Sequence, residues 1–304
     1  MKYDDCKRSP DARGRLRYRL RHGPVWVTDF GFHHTGTPPL IPTDAEMPLD
    51  DPLDERLRSY LEHGLHSNRQ RFAYHVELVK AKKALPGLRV LDIGCGGGLF
   101  LSMLQQQGAQ VVGLELSRGR AEYARTVYNL HVENRPVEDL EIQRKYREYF
   151  DVVTLWDVIE HVAYPQSTLM KARDILKQDG YLFMDTPCRD SFYHRFGEIS
   201  YAATGGRLPT FLDIMYNGES VLGHKQIFST EEMRDILLLS GFEPHLIEKR
   251  HELSFPYEFY IRKLLRSWAI AKALVPLVDV FFRFVKIRNK MVVVAQKPGC
   301  NTSR

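Results

Sequence analysis

Residues 90–100 read Val90-Leu91-Asp92-Ile93-Gly94-Cys95-Gly96-Gly97-Gly98-Leu99-Phe100. An apolar strand enters a glycine-rich turn and an amphipathic run leaves it, the pattern that opens a βαβ unit. Glycine lets the turn adopt positive φ and approach a ligand closely, because no Cβ intervenes. The spacing is Gly94-x-Gly96-x-Gly98 rather than the G-x-G-x-x-G that seats a pyrophosphate on a helix N-terminus. Asp92 stands two residues before the first glycine, and a carboxylate there suits a cationic ligand better than a diphosphate.

Outward from this turn, short apolar runs alternate with amphipathic ones. Strands are expected at 88–93, 110–115, 130–133, 151–155 and 180–185. Helices are expected near 98–108, 118–129, 139–147 and 166–178, after a first helix over 66–85 that Pro86-Gly87 stops. A helix over 230–240, ended by Gly241, precedes strands at 244–250 and 291–297. Continuous apolar strands separated by helices predict a parallel sheet covered on both faces. Two segments break the alternation, 186–229 and 252–290, and both exceed ordinary connections. Residues 1–60 read as an N-terminal arm, with Pro-Val-Trp-Val-Thr-Asp-Phe as a strand and a proline-dense stretch from Pro38 to Pro52. The main domain then runs over 61–304.

The second strand ends at Glu115, where a carboxylate can accept both hydroxyls of a ribose. Two acids with no phosphate-binding lysine point to a ribosylated, positively charged ligand. S-adenosylmethionine carries a sulfonium, an ammonium and a ribose diol, and it fits.

The motifs VLDIGCGGG (90–98), VVGLELS (111–117), FDVVTLWDVIEHV (150–162) and LKQDGYLFMDTP (176–187) together resemble the class I S-adenosylmethionine-dependent methyltransferases. EHV-x-x-P-Q and LK-x-x-G-x-x-F-x-x-T are similar to the ubiquinone-biosynthesis O-methyltransferase group and to relatives acting on sugars, lipids and natural products. The resemblance implies an α/β fold, a doubly wound seven-stranded Rossmann-like sheet with its last strand antiparallel and with helical cap insertions. It places Asp92, Gly94 and Gly96 along the methionine and ribose of the cofactor, Glu115 on the ribose hydroxyls and Leu116 beside the adenine. The acid that relatives use at the adenine amine is replaced here by Pro136, within Asn134-Arg135-Pro136-Val137-Glu138-Asp139. Val137 and Glu138 are the substitutes. Trp156 and Asp157 should flank the transferable methyl.

The acceptor belongs at the carboxyl ends of the fourth and fifth strands or in the insertions. A hydroxyl acceptor needs a proton sink, whereas some nitrogen and carbon nucleophiles do not. Asp157, Glu160 and His161 form D-x-x-E-H, which on a helical turn shares one face. That face can supply a base, hold a divalent cation or only cap the turn, and no metal is assigned. His224 lies where relatives place an acceptor-side histidine, and Asp157, His161 and His224 are the catalytic candidates. The 186–229 insertion, with Arg189, Tyr193, His194, Tyr201 and Tyr216, has the composition of a lid over an organic acceptor.

Charge is uneven along the chain. The net +5 divides into eight Lys/Arg against three acids in residues 1–28, twelve against four in 245–304, and 23 against 31 between them. The basic 252–290 insertion interleaves Arg262, Lys263, Lys272, Arg283 and Lys286 with aromatic and aliphatic residues. It reads as a helix on an anionic membrane, or as a cap or dimer face. The alternating Arg13–Arg21 run allows an RNA or other N-methyltransferase as the alternative function, although an acidic middle disfavours nucleic acid. Scattered Cys6, Cys95, Cys188 and Cys300 exclude a disulfide framework. With no apolar leader and no long apolar span, the expectation is a cytoplasmic enzyme, peripheral at the inner membrane face, acting on a small-molecule, lipid or glycan acceptor.

Overall fold

The computed structural model describes residues 15–21, 23–27, 33–35, 49–216, 223–252, 258, 261, 267–284 and 287–299. Arg13, most of the proline-dense stretch and much of 253–266 lie outside the described residues, as do Cys6, Cys300 and Lys286.

Seven strands form the central sheet: β4 (Arg89–Ile93), β5 (Gln110–Leu114), β6 (Val132–Glu133), β7 (Phe150–Trp156), β8 (Leu176–Pro187), β9 (Glu243–Arg250) and β10 (Lys290–Gln296). Their order is β6-β5-β4-β7-β8-β10-β9. β4 is parallel to β5 and β7, and β7 to β8, whereas β10 runs antiparallel to both β8 and β9. The period of two along the strands sorts the core. Leu91, Val153, Leu182 and Val293 face α4 (Leu140–Lys145), α5 (Pro165–Ile175) and α8 (Thr230–Leu239). Val90, Val152, Phe183 and Val294 face α1 (Glu55–Lys80), α2 (Leu99–Gln105) and α3 (Arg118–Tyr128). The chain leaves β4 toward β5 and β6 and returns to β7, so the switch point lies between the carboxyl ends of β4 and β7.

Three expectations shift. The first helix begins at Glu55, not near 66, and so crosses the expected boundary at residue 60. Asp54 caps it, its carboxylate accepting from Leu57 N at 2.7 Å. Residues 176–178 extend β8 rather than α5, because Leu176 pairs with Phe150 of β7. Asp157, Glu160 and His161 occupy an irregular turn rather than a helical face, and Asp157 takes a φ of 54°.

The N-terminal arm contributes a three-stranded antiparallel sheet, β1 (Arg15–Leu20), β2 (Gly23–Val27) and β3 (His33–Thr35). It packs on α6 (Phe192–Ala203) and α7 (Thr210–Met215) of the 186–229 insertion through Tyr18, Val25, Leu212, Met215, Tyr216 and Ile227, a third small core. The helix α9 (Trp268–Phe284) exposes Ile270, Leu277, Val280 and Phe281. Among the described residues no helix is long and apolar enough to cross a membrane.

Because α1 carries two residues of the site described below, its cap is a sensitive test of the fold. Asp54→Ala is expected to lower the unfolding free energy by about 1 kcal/mol, seen as a lower urea midpoint with an unchanged slope.

Candidate active site

The glycine turn at the end of β4 is shaped by two kinds of constraint. Gly94, at φ 71°, has no room for a Cβ, which would fall 2.6 Å from Val158 Cγ2, so the turn is pressed against the loop after β7. Gly98 is likewise closed, 2.5 Å from Leu130 Cδ1. Gly96, at φ 55°, has nothing within 4 Å of that position, which leaves an open cradle over the turn. Two carboxylates border the switch point. Glu115 accepts from Gly96 N at 2.7 Å and from Ser117 N at 2.8 Å. Asp92 accepts from the Thr154 hydroxyl at 2.6 Å.

Burial raises the pKa of both carboxyls, Asp92 to about 8 despite the Thr154 hydrogen bond. A cationic ligand would reverse that penalty. An open glycine cradle beside two desolvated acids therefore fits the sulfonium and ribose of S-adenosylmethionine. Leu116 lies at the turn after β5, held by Asn134, whose amide donates to Glu115 O at 2.6 Å and to Leu116 O at 2.8 Å. Val137 is committed to the apolar core, and Glu138 accepts from the Thr168 hydroxyl at 2.6 Å. The Val137 side chain therefore belongs to packing.

The second half of the site is an ionic cluster that spans five parts of the chain. Arg71 of α1 reaches Asp157 at 2.7 Å, Glu252 at 3.2 Å and Asp185 at 3.6 Å. Lys290, the first residue of β10, contacts Asp157 and lies 3.3 Å from Asp185 and 3.4 Å from Glu252. Asp185 also accepts from Asp157 N at 2.8 Å and faces His75 Nε2 at 3.3 Å. The His75 ring stacks on Trp156 with centroids 3.8 Å apart and planes 8° from parallel. Burial opposes ionisation of Asp157 and Asp185, but Arg71 and Lys290 hold both below the ordinary carboxylate range. Asp157 is thus a fixed anion near neutral pH.

Beside this cluster the structure brings together Glu160, His161 and His224, with one ligand atom from each within 4.8 Å of the others. His161 Nδ1 lies 3.1 Å from Gly223 O, and His224 Nδ1 lies 2.7 Å from Met215 O. A carbonyl can only accept, so each Nδ1 carries a proton, and on a neutral ring Nε2 then keeps its lone pair. Burial, then His161, lowers the His224 pKa to about 4, so that imidazole is neutral at pH 7. Burial, then Asp157, raises Glu160 well above its usual range, while one of its oxygens accepts from Thr186 at 2.9 Å. Such a group can accept a proton from a hydroxyl or accommodate a divalent cation. The expected Asp157, His161 and His224 thus divide between two adjoining clusters.

Residues 57–247 match the family described as Methyltransferase domain. The chain belongs to this family. Of the curated relatives, the ubiquinone biosynthesis O-methyltransferase of Haemophilus ducreyi is 37% identical over 107 residues, 33% of this chain and 45% of that protein. The enzyme of the same name from Xanthomonas campestris pv. campestris is 37% identical over 116 residues, 36% of this chain and 48% of that one. The chain thus spans about half the length of these relatives. A SAM-dependent methyltransferase from Thermotoga maritima shares the fold, with a TM-score of 0.51 and 22% identity over 80% of this chain and 97% of the other. The doubly wound methyltransferase fold implied by the resemblance is the one observed.

Sequence reasoning singled out the glycine turn, Glu115, Asp157 and both histidines but missed Arg71, His75, Asn134, Asp185, Glu252 and Lys290. Asp185 alone left a signal, an acid inside the apolar run GYLFMD.

An Asp92 carboxyl protonated in the folded chain, at a pH where the unfolded chain has released that proton, makes folding take up a proton. Stability of the ligand-free protein should therefore fall as pH rises from 7.5 through 8, a window above the ordinary histidine pKa of about 6.5 in which the histidines are largely neutral in both states. Asp92→Asn should flatten that fall in a series of urea midpoints, and an equally steep fall in the variant would refute the assignment.

Proposed function

We propose that this chain is an S-adenosylmethionine-dependent O-methyltransferase acting on a small amphipathic acceptor, such as a quinone precursor or a lipid-linked glycan. The observation that carries the reading is the open cradle at Gly96 between Asp92 and Glu115, with the neutral His224 imidazole, its proton on Nδ1, in the cluster that follows β7. When bound, the cofactor supplies an electrophilic methyl group on a positively charged sulfur.

The residues divide the remaining work. Glu115 would accept ribose hydroxyls, Asp92 and the Gly94–Gly96 backbone would line the methionine side, and Leu116 with the Val137 backbone and Glu138 would border the adenine. Trp156, fixed in plane by His75, would wall the transfer position and exclude water. Alignment of the acceptor at such a wall can supply a large share of the rate. His224, or His161 beside it, would take the acceptor's hydroxyl proton at Nε2. Asp157, held as an anion by Arg71 and Lys290, would keep the local field favourable to positive charge. A proton acceptor is what an oxygen nucleophile needs, and partial likeness to the two O-methyltransferases supports that choice. The RNA alternative is weaker because Arg17 and Arg21 are engaged by Glu198 and Asp213 of the lid.

The isotope-labelled methyl of S-adenosylmethionine should pass into an extracted lipid or glycan fraction when the protein is present. Glu115→Ala should weaken cofactor binding about tenfold or more by calorimetry. Absence of cofactor binding by the unaltered protein would sink the reading.

The membrane part of the proposal rests on α9. Its residues are apolar apart from Lys272, Asp279 and Arg283, several aliphatic and aromatic ones are exposed, and the surrounding sequence is basic. A cytoplasmic enzyme with such a helix would rest on an anionic bilayer and take its acceptor there. The protein should co-sediment with vesicles containing anionic phospholipid, less so at high salt and less so for Leu277→Asp. Equal recovery on neutral vesicles, or no effect of Leu277→Asp, would remove α9 from that role.

A further inference from the structure

The N-terminal sheet meets the acceptor side of the molecule at two places, one on each side of His224. On the amino-terminal side lies the end of α7. Met215 O is the acceptor that fixes the His224 Nδ1 proton at 2.7 Å, and the next residue, Tyr216, is buried. The Tyr216 hydroxyl stands between two ring nitrogens, 3.2 Å from His33 Nδ1 of β3 and 3.1 Å from His194 Nε2 of α6. Burial holds both imidazoles neutral, His33 at about 2 and His194 at about 4.

A neutral imidazole has one donor and one acceptor, and a phenol has one proton to give. The other nitrogen of His194 faces the Glu198 carboxylate at 3.8 Å, which favours a proton on Nδ1 and leaves Nε2 to accept. The arrangement is therefore directional. With the His194 proton on Nδ1, His33 donates to the Tyr216 oxygen and Tyr216 donates to His194. Glu198 is anchored in turn by Tyr18 and Arg17 of β1.

On the carboxyl-terminal side, Thr35 N of β3 donates to Lys225 O at 2.8 Å, and His34 bridges Gln226 in antiparallel fashion. The same two residues face the loop after β7 with their other edge. Lys225 N and Gln226 N donate to Glu160 O at 2.8 Å and 3.3 Å, and the Gln226 amide donates to Val162 O at 2.9 Å. The segment that carries His224 is thus clamped between β3 and the Glu160–Val162 loop, and its other flank is tied to β3 through Tyr216.

We propose that the N-terminal sheet is a positioning element for the acceptor site, with Tyr216 and His33 as positioning residues that hold the Met215 carbonyl on His224 and so fix which of its ring nitrogens carries the proton. The inference rests on the reading of His224 as an acceptor-side group. It assigns residues 15–35 a part in the reaction rather than in stability alone: without the sheet, His224 would be free to turn its proton toward the acceptor and lose its capacity to take one.

The test is ¹⁵N nuclear magnetic resonance of the full chain labelled at histidine and held at pH 7.5, with the His224 signals assigned by loss in His224→Gln. The unaltered protein should show a single Nδ1-protonated tautomer for His224. Tyr216→Phe and His33→Leu should each shift the tautomer ratio about fivefold toward Nε2 protonation, the effect of losing one ordinary hydrogen bond in the chain that supports Met215. His33→Asn, which restores a polar donor near the Nδ1 position, should recover the original ratio, a rescue that a packing role would not give. Circular dichroism and calorimetry with S-adenosylmethionine establish that each variant is folded. A mixed tautomer in the unaltered protein overturns the proposal even if every variant unfolds, and so does an unchanged ratio in folded Tyr216→Phe and His33→Leu. Failure to bind S-adenosylmethionine with the tautomer fixed as expected would instead count against the methyltransferase reading and leave the positioning role standing.

Discussion

Four charges, two buried and two partly buried, hold the two ends of this domain to its middle. Arg71 comes from the first long helix, Asp157 and Asp185 from neighbouring parallel strands, and Lys290 from the start of the last strand. Each alone would cost several kcal/mol to desolvate, and together they satisfy one another only when α1, β7, β8 and β10 are all in place. That is a strong condition on topology. Lys290 reaches the carboxyl end of β8 only because β10 runs antiparallel, so the reversed strand brings a cation to an edge where parallel strands deliver acids.

The same condition organises the site. Asp157 departs from ordinary helical or extended backbone at φ 54°, and Asp185 stabilises that bend by accepting from its N–H. Trp156 immediately before it is held in plane by His75, which leans on the same Asp185. The glycine cradle and the proposed acceptor side therefore meet at Trp156 and Asp157. The desolvated carboxyls on one side and the neutral His224 imidazole on the other follow from a single cause, burial.

Much of the sheet was legible in the sequence because its signals are local. An apolar strand, a glycine turn and an amphipathic helix repeat within some thirty residues, and β4, β5, β7 and β10 fall within a residue or two of expectation. Glu115 was legible for the same reason, one step past a strand end. What was not legible depends on distant pairing. Arg71 in a polar helix looks solvated until Asp157 and Asp185 are placed beneath it, and Lys290 reads as one more base in a basic stretch. His33 and Tyr216 are 183 residues apart in the chain, and only the packing of the arm on α6 and α7 reveals that they are within hydrogen-bond distance. The start of α1 was missed for a subtler reason: the polar composition of residues 55–65 hides a helix that is set by its Asp54 cap and by α1 packing on α2 and α3.

Gly94 deserves a different reading from its neighbour Gly96. Its missing side chain is filled by Val158, a residue of the loop that carries Glu160 and His161. The wall of the glycine cradle and the wall of the proposed acceptor site are therefore two sides of one van der Waals contact. Enlarging Val158 to admit a bulkier acceptor would press on the glycine turn, and reshaping the turn would tilt the loop. Acceptor preference and cofactor affinity in this chain should drift together under selection, and variants that change one without the other are to be sought away from this contact, in α6, α7 or the N-terminal sheet.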